Sequence, residues 1–124
     1  MAMNNNLVSL HELFRSRGCN LLPIVITGAS LTTTSSANGV TVGADVVDAK
    51  DDGSNVITIT FKEPLKQKPL IFVQTETADN HILVSAKSTT AFDLTSVQND
   101  ANGTGVNDPN LMILVVVVDD SDLR

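Results

Sequence analysis

The apolar positions of this 124-residue chain follow a period of two over most of its length, a pattern typical of β-strands. The strand-like segments are rich in β-branched residues, and several alternate apolar with polar positions. The last of them, 111-LMILVVVV-118, is wholly apolar, which indicates a buried strand. The predicted strands fall within 22–27, 39–50, 56–60, 70–75, 82–86, 92–97 and 111–118.

Turn-forming residues separate these segments. Asp52-Gly53 predicts a hairpin between its flanking strands, and Ser88-Thr89-Thr90 predicts a second one. Pro64 and Pro69 donate no backbone hydrogen bond, so the chain must turn a corner between strands there. The stretch 98-QNDANGTGVNDP-109 predicts a long loop before the final strand.

About seven short strands in roughly 100 residues favour an all-β fold, a two-sheet antiparallel β-sandwich of jelly-roll or immunoglobulin-like type. The length suits one domain with a sizeable core. Hydrophobic residues make up 42% of the chain, whereas the aromatic residues are four Phe with no Trp or Tyr. We therefore expect an aliphatic core.

The start of the chain has a different pattern. Ser9 and Glu12 form a capping box, and Gly18 suits a left-handed helix exit, so a short helix is predicted from Leu10 to Arg17. We expect an N-terminal arm, residues 1–18, ahead of a sandwich domain, residues 19–124. One face of the helix carries the candidate partner-binding residues, which are Leu10, Leu13, Phe14 and Arg17.

Charge and cysteine content exclude several classes of protein. A net charge of −6 with no dense run of Lys or Arg argues against nucleic acid as a partner. The longest apolar run has eight residues, far fewer than the roughly 20 of a membrane helix, and no signal peptide is visible. A single cysteine, Cys19, forms no internal disulfide, so we expect folding in a reducing cytoplasm.

Motifs for catalysis are weak. The segment 25-VITGAS-30 resembles a dinucleotide-binding turn, but the further glycines are missing and no Tyr is present to act as an acid. His11 and His81 are the only histidines, and no G-x-S-x-G elbow accompanies them. The chain is therefore predicted not to be an enzyme and to need no cofactor.

Two polar groups leave a cation site open as an alternative. Asp100, Asn102 and Thr104 resemble the start of a calcium loop, yet Leu111 stands where the bidentate Glu belongs. The other group surrounds the first predicted hairpin and is more typical of a solvated sheet edge; it consists of Asp45, Asp48, Asp51 and Asp52. We predict no metal site. Without Trp or Tyr as a stacking platform, glycan binding is also disfavoured.

The order of strands and turns from Val56 to Val118 resembles the small β-sandwich modules of tailed-bacteriophage virions. The resemblance lies in VITITF, the PL-x-x-x-P corner, LIFVQTE, the hairpin VSAKSTTAFDL and the closing LMILVVVV. Such modules occur as capsid decoration, or cement, proteins and as domains of tail fibres. The resemblance covers roughly half of the chain and carries no catalytic residues.

This resemblance implies a structural protein that decorates and stabilises a phage capsid, with the major capsid protein as its partner and a homotrimer as its own assembly. Its place would be the capsid surface of the virion, after synthesis in the host cytoplasm. The alternative is a tail-fibre or head-fibre module that contacts the host surface. An isolated eight-residue helix is marginal in water, so the helix needs a surface to lie on. That surface is its own sandwich, a sister subunit or a capsid protein.

Overall fold

The computed structural model describes residues 12, 18–32, 39–52, 55–76, 80–98, 105 and 109–118. These residues form eight antiparallel strands and one 3-10 turn at Gly28–Ser30, which confirms the all-β prediction with one strand more than expected. The predicted helix over Leu10–Arg17 lies outside the described residues apart from Glu12, and no helix able to cross a membrane occurs within them. The strands are β1 (Cys19–Thr27), β2 (Val40–Val42), β3 (Val47–Asp51), β4 (Val56–Phe61), β5 (Leu70–Thr75), β6 (Asn80–Ser85), β7 (Ala91–Gln98) and β8 (Asn110–Val118).

The strands form two four-stranded sheets. The first sheet has the order β2-β1-β8-β5 and the second has the order β3-β4-β7-β6. The chain changes sheet four times, at the β2–β3, β4–β5, β5–β6 and β7–β8 connections. An immunoglobulin domain places its first, second, fifth and fourth strands in one sheet, so this sandwich has a different strand order.

The core between the sheets is aliphatic, as predicted. Each strand points alternate side chains inward, which buries every second residue along β4 and β7, Ile24 and Ile26 of β1, and Leu111, Ile113 and Val115 of β8. The two buried aromatic rings, Phe61 and Phe92, pack against each other with centroids 5.7 Å apart. The other fully buried large apolar side chains are Ile24, Ile26, Val47, Ile59, Leu94, Leu111 and Val115.

The predicted strand segment 39–50 is two strands in different sheets, so the prediction of one strand there is wrong. Gly43 makes the crossing with φ +91°, a left-handed conformation that favours glycine. Its carbonyl oxygen accepts from the amides of Val46 and Val47 at 3.0 and 3.1 Å. A β-carbon on Gly43 would lie 3.0 Å from the Pro23 carbonyl oxygen, so a side chain would also crowd β1.

Both predicted hairpins are present. β3 pairs with β4 across the Asp52-Gly53 turn, where the Asp52 amide donates to the Val56 carbonyl at 3.1 Å. β6 pairs with β7, and the Ser88 hydroxyl in their turn accepts from the amides of Thr90 and Ala91 at 3.1 Å each. A backbone bond therefore closes the first reversal, and the Ser88 side chain stabilises the second.

The proline-containing connection carries the chain from β4 in the second sheet to β5 in the first, which confirms the predicted corner. Backbone bonds hold it at both ends: the Lys62 amide donates to Val46 at 2.9 Å and the Leu65 amide donates to Thr89 at 2.8 Å. Pro69 is fully buried at the start of β5, whereas Pro64 is exposed. The corner is thus bonded to the β2–β3 connection and to the turn of the β6–β7 hairpin.

A polar network closes one end of the sandwich. The buried Ser96 hydroxyl donates to the Asn80 side-chain oxygen at 3.0 Å, and the Asn80 amide group donates to the Thr75 hydroxyl at 3.2 Å. The Asn55 side chain donates to the Ser96 carbonyl at 2.7 Å, with Asn55 itself in a left-handed conformation at φ 55°. Because Thr75 belongs to the first sheet and the others to the second, these bonds join the two sheets.

Replacing both corner prolines with Ala should lower the free energy of unfolding by about 0.4–1 kcal/mol per site, because Ala leaves the unfolded chain more conformations. We expect Pro69→Ala to cost more than Pro64→Ala, since only Pro69 also loses buried packing. Urea denaturation of both single variants and the double variant measures this. An unchanged or raised midpoint for the double variant would show that the prolines do not stiffen the corner.

Ser96→Ala should lower the free energy of unfolding by about 1–3 kcal/mol, because the buried Asn80 oxygen loses its hydrogen-bond donor. Ser85→Ala is the matched control at an exposed position of β6 and should have little effect. Equal midpoints for the two variants in urea denaturation would contradict a structural role for the network.

Candidate functional site

The surface of the first sheet that points away from the core is apolar. We call it the outer face. It arises because β1, β5 and β8 carry apolar residues at the positions that point outward as well as at those that point inward. The outer face consists of Leu21, Pro23, Val25, Val42, Leu70, Phe72, Met112, Leu114 and Val116.

Strand register arranges these side chains in rows across the sheet. Pro23 of β1 lies opposite Leu114 of β8, which in turn lies opposite Phe72 of β5. The next row joins Val42, Val25 and Met112 and ends at the polar Gln74. Directly opposed residues on one face of an antiparallel sheet touch each other, so the rows form one continuous apolar surface.

The exposure of this surface is unusually large for apolar side chains. Phe72 is 58% exposed, Leu70 51%, Met112 45% and Leu114 36%. With a large side chain offering about 150–250 Å², these four residues alone expose on the order of 300–400 Å². This lies in the range of the largest apolar patch of an ordinary monomer, a patch that is often functional.

A shallow hollow lies in the middle of the outer face. It has a volume of ≈ 340 Å³ and lies between the side chains of Pro23, Val25, Phe72, Met112 and Leu114. Gln74 supplies a polar group at its margin, and no ionisable side chain lines it. A hollow without charged or catalytic groups suits an apolar side chain of a partner better than a reactive substrate.

A second hollow, of ≈ 630 Å³, opens beside the proline corner between Leu22, Val46, Phe61 and Leu65. Asp45, Lys62 and Glu63 stand at its edge, and the Lys62 ammonium donates to the Ala44 carbonyl oxygen at 2.7 Å. That bond ties the Lys62 ammonium group to the backbone of the β2–β3 connection, which gives Lys62 a structural role at this hollow.

The corresponding surface of the second sheet is polar. Asp48 and Lys50 point outward from β3, and the Thr58 hydroxyl of β4 donates to the Asp93 carboxylate of β7 at 2.9 Å. An antiparallel sheet usually packs one face on the core and exposes polar residues on the other face. The first sheet departs from that arrangement, and this asymmetry singles out the outer face.

The residues predicted to bind a partner, Leu10, Leu13, Phe14 and Arg17, lie outside the described part of the chain. Gly18 is described and has φ +76°, the left-handed conformation expected of it. Directly after it, Cys19 is half-buried and pairs with Val118. The N-terminal arm therefore joins the sandwich at the end of the outer face where Leu21, Val116 and Leu70 form a row, and where Val116 is only 7% exposed.

The acidic residues around the first hairpin form no metal site. In the described ranges, no three side chains of His, Cys, Asp or Glu come together in a way that could hold an ion. Asp100, Asn102 and Thr104 lie outside these ranges, as does His11, while His81 is exposed on β6. The structure thus brings none of the described candidates together into a reactive group.

Sequence reasoning did not single out the outer face, although a signal was present. The run 111-LMILVVVV-118 predicts a buried strand, but Met112 and Leu114 point outward and are exposed. A strand that is apolar on both sides has no polar alternation and needs cover on both sides. The missing alternation is the signal that predicts a second, outward-facing contact.

The chain matches no family model, and comparisons with curated proteins and with solved structures also find no match.

Neighbouring residues of β8 provide a test of the two faces. Ile113→Ala should lower the free energy of unfolding by about 2–5 kcal/mol, because Ile113 is buried in the core. Met112→Ala should cost less than about 1 kcal/mol and should shorten retention on a hydrophobic-interaction column, because Met112 is exposed on the outer face. Similar losses of stability for the two variants would mean that the outer face is covered in the isolated protein.

Proposed function

We propose that this chain is a structural binding module that attaches to the shell of a virion through the outer face of its first sheet. The observation that carries the proposal is the continuous apolar surface around Phe72, Met112 and Leu114, which contrasts with the mostly polar outward surface of the second sheet. A partner protein that covers this surface removes it from water. The chain acts by contact and performs no reaction.

The expected strength of this contact follows from its area. Burying 300–400 Å² of apolar surface yields about 7–10 kcal/mol before costs, whereas association costs about 4–15 kcal/mol. The outer face alone therefore gives a weak complex. A standard interface covers about 800 Å² per partner, so a second contact is needed beside it.

We assign that second contact to the N-terminal arm. Leu10, Leu13 and Phe14 share one face of the predicted helix, and burying each against a partner would contribute about 1.5–3 kcal/mol. The arm enters the sandwich at Cys19, beside the row of Leu21 and Val116. It can therefore reach the same partner surface as the outer face.

The resemblance to phage virion modules suggests the identity of the partner. A decoration protein binds the major capsid protein at many equivalent sites, so that weak single contacts hold the shell together collectively. A fibre module would be present in few copies and would contact the host. The number of copies per purified particle distinguishes these two roles.

Removal or charging of either contact should weaken rebinding to capsids stripped of the protein. A truncation that begins at Cys19, the variant Leu13→Asp and the variant Leu114→Lys should each keep the β-type circular dichroism yet reduce capsid occupancy at least tenfold. A charged group in a dry interface costs several kcal/mol. Sedimentation of capsids with bound protein measures the occupancy.

Thr60→Lys is the matched control, because Thr60 is exposed on the polar surface of the second sheet. It should rebind fully. Full occupancy of the Leu114→Lys variant would exclude the outer face as the contact. If the truncated protein unfolds or aggregates, the N-terminal arm belongs to the fold of the sandwich and is not a docking arm.

A further inference from the structure

We propose that the edge of β5 that faces away from β8, with which no described strand pairs, pairs with β5 of a second copy of this chain, antiparallel and about a two-fold axis through Phe72. The first sheets of the two copies would then form one continuous eight-stranded sheet. The contact uses backbone groups at the edge of the sheet and shares with the outer face the outward side chains of β5, chiefly Phe72. It requires no other protein.

β5 is the least protected edge of the first sheet. Proteins usually blunt sheet edges with charges, prolines, bulges or short strands. At the opposite edge, β2 has only three residues, and its pairing with β1 is interrupted by a register shift. β5 instead has six residues, pairs with β8 in an unbroken register and contains neither proline nor charge from Leu70 to Thr75.

The neighbouring edge of the second sheet has the same character. β6 follows β5 and carries no Asp, Glu, Lys or Arg, while Leu83 and Val84 are 53% and 39% exposed. On the other side of the sandwich, β3 carries Asp48, Lys50 and Asp51. Among the described strands, β5 and β6 thus carry no charge that would repel another chain, whereas charges protect the edge at β3.

Hydrogen bonding to β8 determines which groups of β5 point outward. The Glu76 amide donates to the Asn110 carbonyl at 3.0 Å, which continues the register of β5 with β8. Hydrogen-bonded and non-hydrogen-bonded pairs alternate along an antiparallel ladder. The even-numbered residues therefore bond to β8, and Ile71 and Val73 direct their N–H and C=O groups to the free edge.

The charges that flank β5 select one register. Pairing about Phe72 places Ile71 opposite Val73 of the second copy, so their outward groups exchange four hydrogen bonds across the axis. The same register places Lys68 opposite Glu76 of the second copy, twice, because both residues stand four positions from Phe72. All other positions between them are uncharged, so this strand is complementary in charge to its own antiparallel copy.

The outward side chains fit this register as well. The two Phe72 rings would lie opposite each other in a non-hydrogen-bonded pair, the closer type of cross-strand pair. Aromatic and opposite-charge pairs both stabilise such strand contacts. A closed two-fold dimer follows, in place of the trimer that the resemblance implies.

A disulfide test fixes the register. In a Cys19→Ser background, Phe72→Cys should form a covalent dimer under mild oxidation, because its Cα atoms would lie about 4.5 Å apart, within reach of a disulfide. Leu70→Cys is the matched control on the same face. Its two copies would lie about 14 Å apart, four residues at roughly 3.4 Å each, and should stay monomeric on a non-reducing gel.

Charge reversal tests the same register without cysteines. Lys68→Glu and Glu76→Lys should each raise the dimer dissociation constant about threefold to tenfold, and the double variant should restore it. Light scattering over a dilution series measures the mass. Restoration by the double variant together with crosslinking at position 72 alone supports the proposal. A monomer at all concentrations, a trimer, or equal crosslinking at positions 70 and 72 overturns it.

Discussion

The structure depends on the position of β8 between β1 and β5. Nine residues of β8 pair with β1 on one side, and six of them pair with β5 on the other. Every backbone group of a central strand must find a partner in the sheet, since unpaired buried groups are costly. β8 meets this condition because it lies between two other strands. Its pairing with β1 also brings Cys19 and Val118 together.

That arrangement fixes the rest of the sandwich. With β1, β8 and β5 in one sheet, the chain must leave that sheet after β2 and again after β5, and each crossing needs a specific device. Gly43 supplies the left-handed turn for the first crossing, and the proline corner returns the chain to β5. The Asn80 and Ser96 network then satisfies the buried polar groups where β5 leads into β6. The fold is stabilised both by apolar packing in the core and by hydrogen bonds in the connections between the sheets.

Local patterns predicted most of this fold because they act over a few residues. The Asp52 amide and the Ser88 hydroxyl bond to residues a few positions away, so the two hairpins could be predicted from the sequence alone. The division of 39–50 between two sheets could not, because it depends on the close approach of Gly43 to Pro23. The outer face is hard to predict for a similar reason. Whether Met112 is covered depends on the order of the strands, and this order brings together residues that are far apart in the chain.

The described charged residues are unevenly distributed between the two sheets. Acidic residues occupy the polar surface of the second sheet and its hairpin turn, as Asp48 and Asp93 show, so copies that approach there repel each other. The outer face and β5 carry no charged residue, and Lys68 and Glu76 flank β5 in the sequence. Encounters between copies are therefore disfavoured except where uncharged surfaces meet. The position of the charged residues therefore affects which surfaces of two copies can meet.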